Sequence, residues 1–245
     1  MTCRKSPNFV EFKNHFLNSP LAEQTITDQK ITPILMYITG STLTNYADDS
    51  SDYDLCLLSL DIPKHLEEYR RPPKWYAQYL PEGRKCQIIY NDFSNIFTVS
   101  IFPQDNVGWA QFKYATEDSI FYLNPQYRQE IQMLFSHKDE ISRNALYLFG
   151  ISCQRALAIS SIEEITDNHL QSIPKLAYQL AWAGAEAAGT HMSSDFLVRL
   201  KRQPFLQLTE DTRNQLWTLI KAFAQYVETY SKSETIKELE KFYGI

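Results

Sequence analysis

Two short apolar segments, separated by a polar stretch, constrain this chain more than anything else in it. Ile34 to Thr39 is a run of apolar and β-branched residues that stops at Gly40-Ser41. Its length predicts a buried strand, and the Gly-Ser pair predicts a turn. Ten residues later, Asp52 to Leu60 alternates, with Tyr53, Leu55 and Leu57 on one side and Asp52, Asp54, Cys56 and Leu58 on the other. Residues i and i+2 of a strand share a face, so this pattern puts two carboxylates together, about 6.5–7 Å apart along the chain. The intervening Ser41 to Ser51 is polar and contains Asn45, Asp48, Asp49 and Ser50.

The remaining chain organises around that pair. Asn8 to Leu21 predicts a first helix, with Phe9, Phe12, Phe16 and Leu17 as a rough stripe. Residues 61–85 mix charge, proline and aromatics and predict a connection. Cys86 to Tyr90 and Ile96 to Phe102 are rich in β formers and flank a polar stretch, Asn91 to Asn95, so they predict a hairpin. Ser119 to Leu123 fits either a further strand or the start of a helix. Beyond Pro125 the spacing turns helical over 126–160. Lys175 to Gly189 predicts a helix with Leu176, Leu180, Ala183 and Ala187 along one face, Pro174 in its first turn and Gly189 at its C-terminal cap. Asp195 to Arg202, Thr209 to Ser231 and Glu234 to Phe242 predict further helices. The expected division is therefore an α/β part over residues 1–125 and a helical part over 126–245, an α+β chain with a small mixed sheet first.

Composition narrows the function classes. Of 245 residues, 44% are hydrophobic, which excludes global disorder. The net charge of −5 provides no global basic field for a long nucleic acid. Only 7 residues are glycine, and neither G-x-G-x-x-G nor G-x-x-x-x-G-K-[ST] occurs. Cys3, Cys56, Cys86 and Cys153 form no CxxC and fit neither a zinc site nor a disulfide framework. No run reaches membrane-spanning length and the N-terminus has no apolar signal core, so the expectation is a soluble cytoplasmic protein with no membrane partner.

The chemistry follows from the paired carboxylates. Carboxylates on one strand face can share divalent cations, and Mg²⁺ (or Mn²⁺) takes oxygen ligands while keeping substrate phosphates in its shell. A Gly-Ser turn offers backbone N–H groups and a hydroxyl to triphosphate oxygens, and glycine permits close approach. Gly40-Ser41 followed by Ser51-Asp52-Tyr53-Asp54-Leu55 resembles the GS…DxD signature of the DNA polymerase β-type nucleotidyltransferase superfamily, especially its bacterial and phage-like members with GS…SDxDL. The signature covers about 25 residues of the chain; the rest of the likeness is the order of an α/β core and a helical region.

That resemblance implies a metal-dependent transferase that moves a nucleoside monophosphate from a nucleoside triphosphate to an acceptor and releases pyrophosphate. It implies that Asp52 and Asp54 hold the metal and that Gly40 and Ser41 hold the triphosphate. It also implies a third carboxylate on a neighbouring strand. Ile96 to Ile101 offers hydroxyls instead of an acid. The nearest acid is Asp92, the candidate third ligand or base, with Asp105, Glu117 and Asp118 further on. Lys175 and, one turn later, Tyr178 are candidate nucleotide contacts from the helical part, weighed against a solvated lysine near a helix start. The acceptor is open among a protein side chain, a small molecule such as an aminoglycoside, and a nucleic acid end.

Other features are weaker. Tyr69 to Tyr76, with Arg84 and Lys85, interleaves basic and aromatic residues, which fits a connection packing its rings better than a base-stacking patch. The five histidines show no ligand spacing, and Cys153 has no local histidine partner for thiol chemistry. Two rival readings stand beside the transferase: a catalytically silent nucleotide-binding relative, and an interaction protein such as the nucleotidyltransferase-like half of a toxin–antitoxin pair.

Overall fold

The computed structural model describes residues 13–14, 33–44, 46–47, 51, 53–59, 86–92, 106–160, 167–203 and 207–231. The chain divides into two compact units, Met1–Ala145 and Leu146–Ile245. The first is mixed α and β, and the described part of the second is helical.

In the first unit, β1 (Pro33–Thr39) and β2 (Tyr53–Ser59) pair antiparallel, with Thr39 opposite Asp54 and Met36 opposite Leu57. A third strand, β3 (Cys86–Asp92), runs parallel to β2, and β4 (Ile120–Leu123) runs antiparallel to β1. The sheet order is β3-β2-β1-β4. β1 and β2 are therefore central strands, and Ile34 to Ile38 and Leu55 to Leu58 are buried without alternation. The polar–apolar alternation of β2 thus marks its carboxylate end only, because helices or connections must cover both faces of a sheet buried this way. The expected hairpin partner of β3, Ile96 to Phe102, lies outside the described residues, as do Asn8 to Leu21 apart from the helical Lys13 and Asn14. The undecided segment Ser119 to Leu123 becomes strand β4, entered from a 3₁₀ turn at Glu117–Ser119.

A short helix, α1 (Gly40–Leu43), starts directly after β1, and α2 (Asn106–Gln111) continues into a 3₁₀ turn at Phe112–Tyr114. Phe112 is fully buried, with its ring 5.2 Å from Tyr37, 5.3 Å from Trp109 and 5.2 Å from Phe135. Such tilted and edge-on pairs add about 0.5–1.5 kcal/mol each beyond area burial. Phe135 comes from α3 (Arg128–Ser136), which buries Ile131 and Leu134. α4 (Lys138–Ser160) supplies Ser142, which is buried and bonded twice: its hydroxyl donates to the Trp109 carbonyl at 3.0 Å and accepts from the Lys113 N–H at 2.8 Å. Ser142 thereby satisfies two backbone groups, one buried and one part-buried, where α2 gives way to the 3₁₀ turn.

The second unit contains the rest of α4, then α5 (Asp167–Ala188), α6 (Ser194–Arg202) and α7 (Glu210–Tyr230). α5 begins at Asp167, so Pro174 is an interior residue of the helix and not part of its first turn. Proline in a helix interior removes one backbone donor and crowds the carbonyl four residues earlier, so this helix continues at a cost. The predicted C-terminal cap is observed: Gly189 has φ +63°, its N–H donates to the Glu186 carbonyl, and Thr190 N–H donates to the Ala185 carbonyl. That pair of bonds is the Schellman arrangement, which asks for a residue in the left-handed region. Ser193 and Thr209 cap α6 and α7, each hydroxyl accepting a backbone N–H at 3.3 Å from Phe196 and Thr212 respectively. The middle of α5 is buried all round from Leu180 to Ala185, wider than the single stripe expected. Close packing explains it: a Cβ on Gly184 would collide with the backbone carbonyl of Leu219 on α7. No described helix is long and apolar enough to cross a membrane.

Candidate functional site

The Gly40-Ser41 turn and the end of β2 come together because β1 and β2 are antiparallel neighbours. The register opposes Thr39 to Asp54, so the chain leaves β1 beside the residue where β2 carries its carboxylate. Gly40 turns sharply there, with φ +71°, a conformation that residues with a Cβ adopt at a cost. A Cβ at this position would also collide with Oδ2 of Asp54, whose side chain would have to swing aside. The carboxylate thus lies directly over the Cα of Gly40. Asp54 is half-buried and so is Ser41.

The turn is closed from within and from outside. The carbonyl of Ser41 accepts the Tyr46 N–H at 2.9 Å, and the Gly40 carbonyl accepts the Thr44 hydroxyl at 3.2 Å and the Thr44 N–H at 3.3 Å. Thr42 and Leu43 are buried and anchor α1 against the sheet. From α2, the side-chain oxygen of Gln111 accepts the Gly40 N–H at 2.7 Å and the Thr39 hydroxyl at 3.1 Å. Gln111 is itself buried. Sequence reasoning missed it, since a single glutamine 71 residues from Gly40 belongs to no motif and no period. Its bond also bears on the expected role of Gly40, because the amide hydrogen of that residue is already engaged within the fold.

The other expected residues distribute as follows. Asp52 lies outside the described residues, while Ser51 just before it is half-buried. Asp92 is the last residue of β3 instead of part of a turn, and it stands opposite Ser59. The residue opposite Asp54 is Gln87. At about 3.3 Å per residue, five positions of strand put Asp92 about 16 Å along the sheet from Asp54. The structure therefore does not bring Asp92 to Asp54, because β3 runs parallel to β2 and carries its C-terminal end away from the turn. Glu117 and Asp118 are exposed just before β4, whose first residue opposes Tyr37, so they share the sheet end of Gly40 on the far side of β1. Asp105 lies outside the described residues.

Lys175 and Tyr178 belong to α5 of the helical unit. Lys175 lies more than two turns downstream of Asp167, so it is not at a helix start. Tyr178 is half-buried, and Nζ of Lys201 on α6 stands 5.1 Å from its ring centroid. That is a cation–π distance, so the ring already has a cation on one face. Cys153 is buried, and burial pushes its thiol up from 9.0 to about 12, so it is not a thiolate at neutral pH. The basic and aromatic stretch 69–76 lies outside the described residues.

No family model and no curated protein matches this chain.

Proposed function

We propose that this chain is a metal-dependent nucleotidyltransferase whose active site is the β1–α1 turn and the carboxylate end of β2, on a nucleotidyltransferase-type core followed by a helical region. The observation that carries the proposal is the packing of the Asp54 carboxylate onto the bare Cα of Gly40. It sets Asp54 of the Asp-x-Asp pair against the Gly-Ser turn, and it fits the lack of a side chain at position 40.

The donor set suits a hard divalent cation. Asp54 supplies a half-buried carboxylate at a strand end, and Asp52 supplies a second acid two residues before it. Together they would hold Mg²⁺ or Mn²⁺. The cation would neutralise triphosphate charge. Ser41 would contact the β- and γ-phosphates through its hydroxyl, and the missing Cβ of Gly40 lets substrate and carboxylate approach the turn closely. In the reaction the acceptor oxygen bonds to the α-phosphorus, the bond to the bridging oxygen breaks, and pyrophosphate leaves. Lys175 and Tyr178 remain proposed nucleotide contacts.

A second reading has a specific observation behind it. The position opposite Asp54 on β3 is the neutral Gln87, and Asp92 is far along the sheet. A relative that binds nucleotide without turnover would show this pattern. Incubation with Mg²⁺ and each α-³²P nucleoside triphosphate, beside the Asp52→Ala/Asp54→Ala double variant, separates the two. Label transfer and pyrophosphate release abolished in the double variant are the expected result. Nucleotide binding by thermal shift without transfer, with cell extract supplied as a source of acceptor, would establish the silent relative instead.

A further inference from the structure

The Gly40 amide is a backbone N–H, which can only donate, so the Gln111 atom 2.7 Å from it must be the side-chain oxygen and not the nitrogen. The same oxygen takes the Thr39 hydroxyl at 3.1 Å, using both of its lone pairs on two consecutive residues at the end of β1. Thr39 and Gln111 are both buried, so water competes poorly for these bonds. Gln111 is itself held at its root, because Ser142 of α4 fixes Trp109 on one side of it and Lys113 on the other. A polar chain therefore runs from α4 through α2 to the turn that faces Asp54.

We propose that Gln111 is the positioning residue of this site: its side-chain oxygen clamps Thr39 and Gly40 into the left-handed turn that brings the glycine Cα under the Asp54 carboxylate. The clamp is a statement about local structure, and its effect on nucleotide chemistry rests on the transferase reading above. A leucine at 111 fills similar volume and accepts nothing. A glutamate keeps the acceptor at the same reach. An asparagine keeps the amide but is one methylene shorter and withdraws the oxygen.

The test is amide hydrogen exchange at Gly40, followed by NMR in the full chain, for wild type, Gln111→Leu, Gln111→Glu and Gln111→Asn. Gly40 exchange should rise about tenfold in Gln111→Leu, the scale of one lost hydrogen bond. It should rise similarly in Gln111→Asn and stay near wild type in Gln111→Glu, with the amides of Leu55 to Leu58 unchanged throughout. Should the leucine variant fail to fold, the contrast between asparagine and glutamate decides. Unchanged Gly40 exchange in the folded leucine or asparagine variant overturns the proposal. The second readout is label transfer: with the clamp gone, kcat should fall more than KM rises, because geometry and not nucleotide affinity is lost. If wild type transfers no label, the exchange result still judges the clamp, and the failure belongs to the transferase reading alone.

Discussion

Two glycines in this molecule stand where a Cβ would collide with a neighbour, yet the neighbours differ in kind. Gly40 faces a carboxylate across neighbouring strands and adopts positive φ, whereas Gly184 faces the backbone carbonyl of Leu219 at the crossing of two helices. A side chain such as Asp54 can turn aside; a helical carbonyl moves only if the helices part. The first glycine therefore keeps a carboxylate against a turn, and the second keeps a packing distance. The same contrast separates the units around them. In the sheet-bearing unit, Gln111 and Ser142 reach across distant sequence to hold backbone groups, and in the helical unit the central interface is close apolar contact along α5 and α7.

Substitutions can break this contrast or sharpen it. The largest loss of stability is expected for Gly184→Ala, about 3 kcal/mol by chemical denaturation, the upper part of the range for overpacking. A loss under 1 kcal/mol would mean that α5 and α7 separate easily. Ser142→Ala removes one hydroxyl but takes a partner from two backbone groups, one of them buried, for a loss of about 2 kcal/mol in the same measurement. Gly40→Ala should cost only about 1–2 kcal/mol, the cost of a left-handed residue with a Cβ. Its label transfer should nonetheless fall about 100-fold, as expected when a reacting geometry shifts by an ångström. If transfer and stability fell in step, the two glycines would be alike after all. Thr209→Ala, which removes the α7 cap, should cost about 1 kcal/mol and leave label transfer untouched.

A further effect depends on pH. The folded chain keeps Cys153 protonated up to about 12 against an ordinary 9.0. Between those values the unfolded chain binds fewer protons than the folded one, so stability falls as pH rises. The contribution is complete below pH 9 and disappears as pH approaches 12. Thermal midpoints recorded across this window should decline less steeply in Cys153→Ala, which removes the titrating group.

Much of this was legible in the residues, and the boundary of legibility has a physical origin. β1 and the paired-acid strand announced themselves through apolar runs and period-two alternation, and the cap at Gly189 through a residue type with a strong local preference. These signals act within a few positions of chain. Gln111 does not, because its partners lie 71 and 72 residues away. The direction of β3 was hidden for the same reason: β formers describe a strand, but not whether its neighbour runs parallel. With β3 parallel to β2, Asp92 lies at the other end of the sheet from Asp54. Pro174 misled in the opposite way, since a real preference for helix starts was overridden in a helix that begins at Asp167.

The contact between Gly40 and Asp54 also makes the two positions a single heritable unit. Because the carboxylate fills the volume a Cβ would need, enlarging residue 40 is tolerable only where residue 54 shrinks or swings away. Either adjustment gives up the acid where it now stands. Effects at the pair should therefore be strongly non-additive. A lineage that still uses the acid has no small step by which to lose the glycine, and one that has lost the acid is free to fill the space.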